Sequence, residues 1–156
     1  FVRPVRAPLR ARDGYFLRAE SFFTTASYLE ASGTNRRGQA GLHERSHGEA
    51  FFDLFDHRFE GDGLYILDEP EAALSPSRQL SFLAKLHQLV LARSQLIIAT
   101  HSPIILGYPD AWIYETSNRG LERVEYEDLD HVTVTRGFLN RRQTFLDVLL
   151  SEDEEE

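Results

Sequence analysis

Short apolar runs bounded by turn residues divide the chain. "LYILDE" (64–69) lies between the Gly61 and Gly63 pair and Pro70, the pattern of a fully buried strand. Proline has no N–H for a ladder, so this strand is expected to stop at Pro70. "QLIIAT" (95–100) is a second buried strand, cut off by "HSP". Between them, Ser75 and Pro76 read as an N-cap and a first helical position. The helix they start runs to about Arg93, with Leu80, Leu83, His87 and Val90 on one stripe. Strand, helix, strand with short connections predicts a parallel pair with a right-handed crossover.

The flanks extend this pattern. "GYFLRAE" (14–20) reads as a strand and "SFFTTASYLEASG" (21–33) as a short helix ending at Gly33. Residues 33–41 form a loop carrying Arg36 and Arg37. Residues 46–63 give a strong helix signal: Ser46 and Glu49 make a capping box, and Phe51, Phe52, Phe55 and Phe59 recur at helical spacing. "AWIYET" (111–116), "LERVEY" (121–126) and a helix from about Arg136 to Leu150 complete an α/β pattern, a parallel sheet core flanked by helices. Residues 1–13 are a linker or the remnant of an N-terminal part, 14–150 the body of the domain, and 151–156 an acidic tail.

Composition narrows the class. A chain of 156 residues, 42% apolar and 27% charged, is long enough for one globular domain. The net charge of −8 owes five acidic residues to the tail, and without them 20 acidic residues face 17 basic ones. That balance argues against a strongly basic nucleic-acid surface. The absence of cysteine excludes disulfides and thiolate metal sites and fits a cytoplasmic protein. No apolar run approaches the ~20 residues of a membrane span. The chain contains no methionine and starts at Phe1, so a fragment or processed piece is expected.

The candidate chemistry lies where the runs end. Parallel strands finish at one edge of their sheet, and ligands bind along that edge in open α/β folds. Asp68, Glu69 and His101 are therefore expected to converge on a common rim. A carboxylate there can hold Mg²⁺, its neighbour can orient or deprotonate water, and an imidazole can bond a phosphate oxygen. The plain alternative is a solvated acidic turn beside a structural histidine.

These segments resemble a known family. "LYILDEP" is similar to the Walker B motif of ATP-binding-cassette ATPases, "EAALSP" to their D-loop and "IIATHSP" to their switch-histidine segment. "RSHGE" resembles their signature motif, with Ser46 and Gly48 in the usual places and His47 in place of a glycine. "YFLRAES" resembles the strand leading to the Q-loop, with Glu20 where the family has glutamine. The resemblance covers roughly residues 14–118 and is strongest to RecF- and SMC-like or bacterial "AAA domain" ATPases. It implies a partial P-loop NTPase fold with ATP and Mg²⁺ as cofactors. Asp68 would be the metal ligand, with Glu69 and His101 as catalytic residues. Ser46, His47, Gly48, Glu20 and Ser75 would contact nucleotide. It also implies an ATP-dependent homodimer, a nucleic-acid or protein partner, and no membrane association. The chain departs from the family in lacking G-x-x-x-x-G-K-[ST], the phosphate-cradling Walker A loop, and in carrying Ser75 where the D-loop has aspartate.

Other readings stay open beside this one. The capping box accounts for Ser46 and Glu49 without a ligand. "HERSH" (43–47) spells H-E-x-x-H, a zinc hydrolase pattern in which His43 and His47 would be ligands, Glu44 the base and Glu69 a third ligand. Flanking Gly41 and Gly48 argue against the continuous helix that such a site needs. His57, His87 and His131 read as packing or surface residues, and Arg36 and Arg37 as a solvated loop. A chain without a phosphate cradle is also compatible with a non-enzymatic half-domain that offers a signature surface to a partner.

Overall fold

The computed structural model describes residues 11–20, 52 and 55–151, with Ala73 described by its backbone alone. The chain divides into two compact units, residues 1–100 and 101–156.

The first unit is built on a three-stranded parallel sheet in the order β1 (Asp13–Arg18), β2 (Gly63–Asp68), β3 (Gln95–Ala99). The 3-10 turn Pro70–Ala73 and helix α1 (Pro76–Leu91) carry the chain from β2 to β3. Ser75 caps α1, its hydroxyl accepting from the Arg78 N–H at 3.4 Å, and Pro76 opens the first turn.

One face of the sheet makes the core. Tyr65 and Leu67 are fully buried on β2, with Leu17 beside them on β1. Helix α1 buries Phe82, Leu86 and Leu89. This corrects the expected stripe: Leu80 and Val90 are exposed, as is His87. Both sets have helical spacing, and aromatic packing selects between them. Residues 55–58 are helical, and Phe55 stacks on Phe59 at 4.2 Å while its edge meets Phe82 at 5.2 Å. Phe59 in turn lies 4.7 Å from the Tyr65 ring.

The opposite face departs from the expectation of two fully buried strands. Phe16, Ile66 and Ile97 stand side by side in register and are 61%, 37% and 50% exposed. Inward and outward positions alternate along all three strands because the described helices cover one face only. An unbroken apolar run does not distinguish a strand buried on both faces from one whose outer face is apolar yet open.

A polar cluster ties the starts of β1 and β2 to the helical turn that precedes β2. Arg58 donates to Asp13 Oδ2 at 2.7 Å, and the Tyr65 hydroxyl donates to the same oxygen at 3.2 Å. The Arg58 guanidinium also covers the Tyr15 ring at 4.7 Å. Arg58 holds the Asp13 carboxyl below its ordinary value, while burial raises the Tyr65 phenol. Gly63 is required here by space: a Cβ on it would lie 2.4 Å from Tyr65 Cζ.

The second unit opens with a short helix α2 (Pro103–Leu106), which the pattern of the sequence did not suggest. β4 (Tyr114–Ser117) and β5 (Gly120–Arg123) form an exposed antiparallel hairpin of their own. The 3-10 turn Tyr126–Asp128 leads into α3 (Asp130–Asn140) and α4 (Arg142–Leu150). Here the expectation of one helix from Arg136 to Leu150 is corrected. The backbone leaves helical geometry at Arg141, with φ −135° and ψ 41°. The break brings Phe145 onto Phe138, ring centroids 6.0 Å apart, and over Gly137, where a Cβ would stand 3.3 Å from Phe145 Cζ. Among the described residues, no helix is long and apolar enough to cross a membrane.

Candidate functional site

The strand register brings Arg18, Asp68 and Ala99 to one line at the carboxyl ends of β1, β2 and β3. Asp68 is the last residue of β2, and Glu69 lies outside the strand, which corrects the expected span of 64–69. Glu69 adopts left-handed backbone geometry, φ 49° and ψ 51°. That conformation costs a non-glycine residue about 1–3 kcal/mol and persists only where its surroundings enforce it.

The enforcing contacts are visible. The Glu69 N–H donates to the Ala99 carbonyl at 2.9 Å, and the Glu69 carbonyl accepts from the Ala72 N–H at 3.1 Å. Pro70, fully buried, disfavours right-handed helical geometry at the residue before it. The backbone is thus clamped on both sides while the Glu69 side chain is exposed. A solvent-exposed carboxylate on a backbone held in this way can take a proton from a water on the rim.

Asp68 is about one-third exposed and pairs with Arg18, Nε to Oδ2 at 3.2 Å. Arg18 also approaches Glu20, Nη2 to Oε2 at 3.6 Å. Two carboxylates, Asp68 and Glu20, therefore share one guanidinium at this rim. Asp68, at the strand end, is a hard oxygen donor of the kind a divalent cation of the Mg²⁺ type takes. Arg18 was missed in the sequence. Its only signal there is its position at the end of the first strand, which has meaning only once the β1–β2 register is known.

The other expected site residues divide. The Ser75 hydroxyl caps α1 and lies 3.1 Å from the Ser77 hydroxyl. His101 is the first residue of the second unit, and its Nδ1 lies 3.3 Å from His131 Nε2. His131, expected to be a packing or surface residue, is thus a partner of an expected catalytic residue. Ser46, His47 and Gly48 lie outside the described residues, as do His43, Glu44, Arg36 and Arg37. Among the described residues, no three His, Asp or Glu side chains form a metal-holding group.

Two surface cavities lie elsewhere. One of about 500 Å³ is at the opposite, amino ends of the strands beside Arg12, Asp13 and Arg93. One of about 490 Å³ is in the second unit beside Tyr108, Trp112 and Tyr126. Neither includes Asp68 or Glu69. In open α/β sheets ligands bind outside the carboxyl ends of the strands, the end of β2 at which Asp68 lies.

A parallel α/β sheet with an acidic pair at the end of its central strand is compatible with the P-loop NTPase class. The chain belongs to the family described as "AAA domain, putative AbiEii toxin, Type IV TA system", whose model matches residues 25–107. The match spans Asp68, Glu69, Ser75 and His101 and makes this an AAA-type domain, a class whose members generally bind ATP. Comparison with curated proteins and with solved structures gave no match.

Proposed function

We propose that the intact protein hydrolyses ATP in the manner of the cassette-type ATPases that its motifs resemble. Asp68 is the residue that would hold Mg²⁺, which supplies charge neutralisation at the phosphates when bound. Glu69 takes a proton from the attacking water, and the resulting oxygen nucleophile bonds to the terminal phosphorus as the bond to ADP breaks. His101 donates a hydrogen bond to the terminal phosphate. Ser46, His47 and Gly48 offer a hydroxyl and backbone N–H groups to nucleotide held by a second copy, so binding closes a dimer and hydrolysis opens it.

The observation carrying this reading is the clamp on Glu69. A left-handed glutamate, anchored to Ala99 on one side and Ala72 on the other with its carboxylate exposed, is strain kept at a site of chemistry. The test is Glu69→Gln in the full-length protein. Loss of a general base lowers turnover by about 100-fold or more, with ATP binding retained. Unchanged turnover would overturn the assignment.

A second reading draws on the open row Phe16, Ile66 and Ile97. Parallel sheets in α/β proteins are covered on both faces, so this face suits a half-domain that completes itself against a partner without hydrolysing anything. Micromolar affinity of the present chain for ATP would exclude that version.

A further inference from the structure

His131 lies 30 residues from His101 in sequence, yet Nδ1 of His101 is 3.3 Å from Nε2 of His131, with the ring centres 5.0 Å apart and the planes inclined by 61°. Both residues are exposed. Their backbones are held within the second unit. Ser102, next to His101, is buried, and its hydroxyl accepts from the Ile104 and Ile105 N–H groups at 3.2 Å. His131 lies in the first turn of α3 between Leu129 and Val132, both buried. The Tyr126 hydroxyl donates to the Pro103 carbonyl at 2.9 Å, joining the segment before α3 to the segment after His101.

Two imidazole nitrogens this close repel unless a proton or a cation lies between them. Nitrogens at about 2.0–2.1 Å from a tetrahedral Zn²⁺ stand about 3.3–3.4 Å from each other. With each ring centre about 1.15 Å behind its nitrogen, the ring centres are then about 5.2 Å apart, against about 5.6 Å for rings meeting end to end across the same gap. The observed separation of 5.0 Å lies on the convergent side. The two nitrogens therefore already stand as ligands of one ion do, and the site asks nothing of His101 beyond the ring edge that faces His131. Among the described residues no third His, Asp or Glu joins the pair. Water then completes the coordination, which makes the ion exchangeable rather than structural. Neutral imidazoles suit Zn²⁺ and its neighbours, whereas Mg²⁺ takes oxygen.

We propose that His101 and His131 form an exchangeable two-histidine site for Zn²⁺ or a similar transition-metal ion, bound through Nδ1 of the first ring and Nε2 of the second. The first test is calorimetric titration of the present chain with Zn²⁺, beside His131→Asn and His101→Asn. The expected result is saturable binding in the wild type, weakened at least about tenfold in each variant. In ¹⁵N-histidine spectra of the wild type, the same two nitrogens are expected to move on zinc addition. No saturable binding at millimolar Zn²⁺, or binding unmoved in His131→Asn, would overturn the proposal. Zinc that moves His43 and His47 instead would lie on the H-E-x-x-H motif and overturn it as well. A misfolded variant is recognised by its backbone spectrum, and the wild-type histidine spectra then decide alone.

Donor chemistry gives the second test. Cu²⁺ is expected to displace Zn²⁺ from the pair, and Mg²⁺ in about hundredfold excess to leave it bound. Displacement by Mg²⁺ would mean oxygen ligands and would overturn the assignment to the two rings. Neither test contains nucleotide, so the outcome is independent of whether turnover depends on Glu69.

Discussion

The Glu69 N–H reaches the Ala99 carbonyl at 2.9 Å, tying the acidic end of β2 to the end of the neighbouring strand. With the Ala72 N–H on its carbonyl, Glu69 is held left-handed from both sides. Glycine adopts that geometry without the Cβ clash. Glu69→Gly is therefore expected to raise unfolding stability by about 1 kcal/mol while abolishing turnover. Chemical denaturation followed by circular dichroism measures the first effect. A loss of stability would mean that the left-handed geometry is not a source of strain.

Arg18 neutralises the carboxylate that would face a metal ion. An exposed ion pair is worth little, so its removal frees Asp68 at small structural cost. Arg18→Gln is expected to tighten Mg²⁺ binding by up to about fivefold, read by calorimetry in the full-length protein with a non-hydrolysable ATP analogue. Weaker binding would instead make Arg18 a phosphate contact rather than a competitor of the metal.

Gly63 and Gly14 stand opposite neighbouring partners at the starts of paired strands but differ in what surrounds them. A Cβ on Gly63 meets the Tyr65 ring at 2.4 Å, and Tyr65 is fully buried. A Cβ on Gly14 meets only the Leu64 carbonyl oxygen, at 3.5 Å. Gly63→Ala is expected to cost about 1–3 kcal/mol, and Gly14→Ala close to nothing. Equal effects in equilibrium unfolding would refute the steric account.

The Asp13 carboxyl is held below the ordinary carboxylate value of about 3.9, chiefly by the hydrogen bond from Arg58. Its stabilising contribution is therefore fully present above the unfolded-state value and is lost as pH falls through the lower folded-state one. Asp13→Asn should be less stable than wild type at neutral pH, and the difference should shrink as pH drops below about 4. A gap that stays constant down to pH 2 would show that the carboxylate charge plays no part.

Much of the first unit was legible because β2, α1 and β3 each carry a local signal: an apolar run, a capped start, a proline stop. Ser75 and Pro76 marked the helix start where it is found. What local pattern could not settle was which face meets what. Phe82 and Leu86 were passed over for Leu80 and Val90 because both stripes have the same period, and only the ring cluster of Phe55, Phe59 and Tyr65 selects one. The left-handed turn at Glu69 was hidden because an acidic residue there carries no glycine signature. Arg18 and His131 depend on strand register and on a pairing across 30 residues, and a single sequence displays neither.

The row of Phe16, Ile66 and Ile97 also bears on how these comparisons are made. Three bulky hydrocarbon groups abreast on a native surface offer a landing place for environment-sensitive fluorophores. Melting curves that rely on such dyes should start from a bright baseline before anything unfolds, so heat capacity or ellipticity is the sounder measure of cooperativity for this protein.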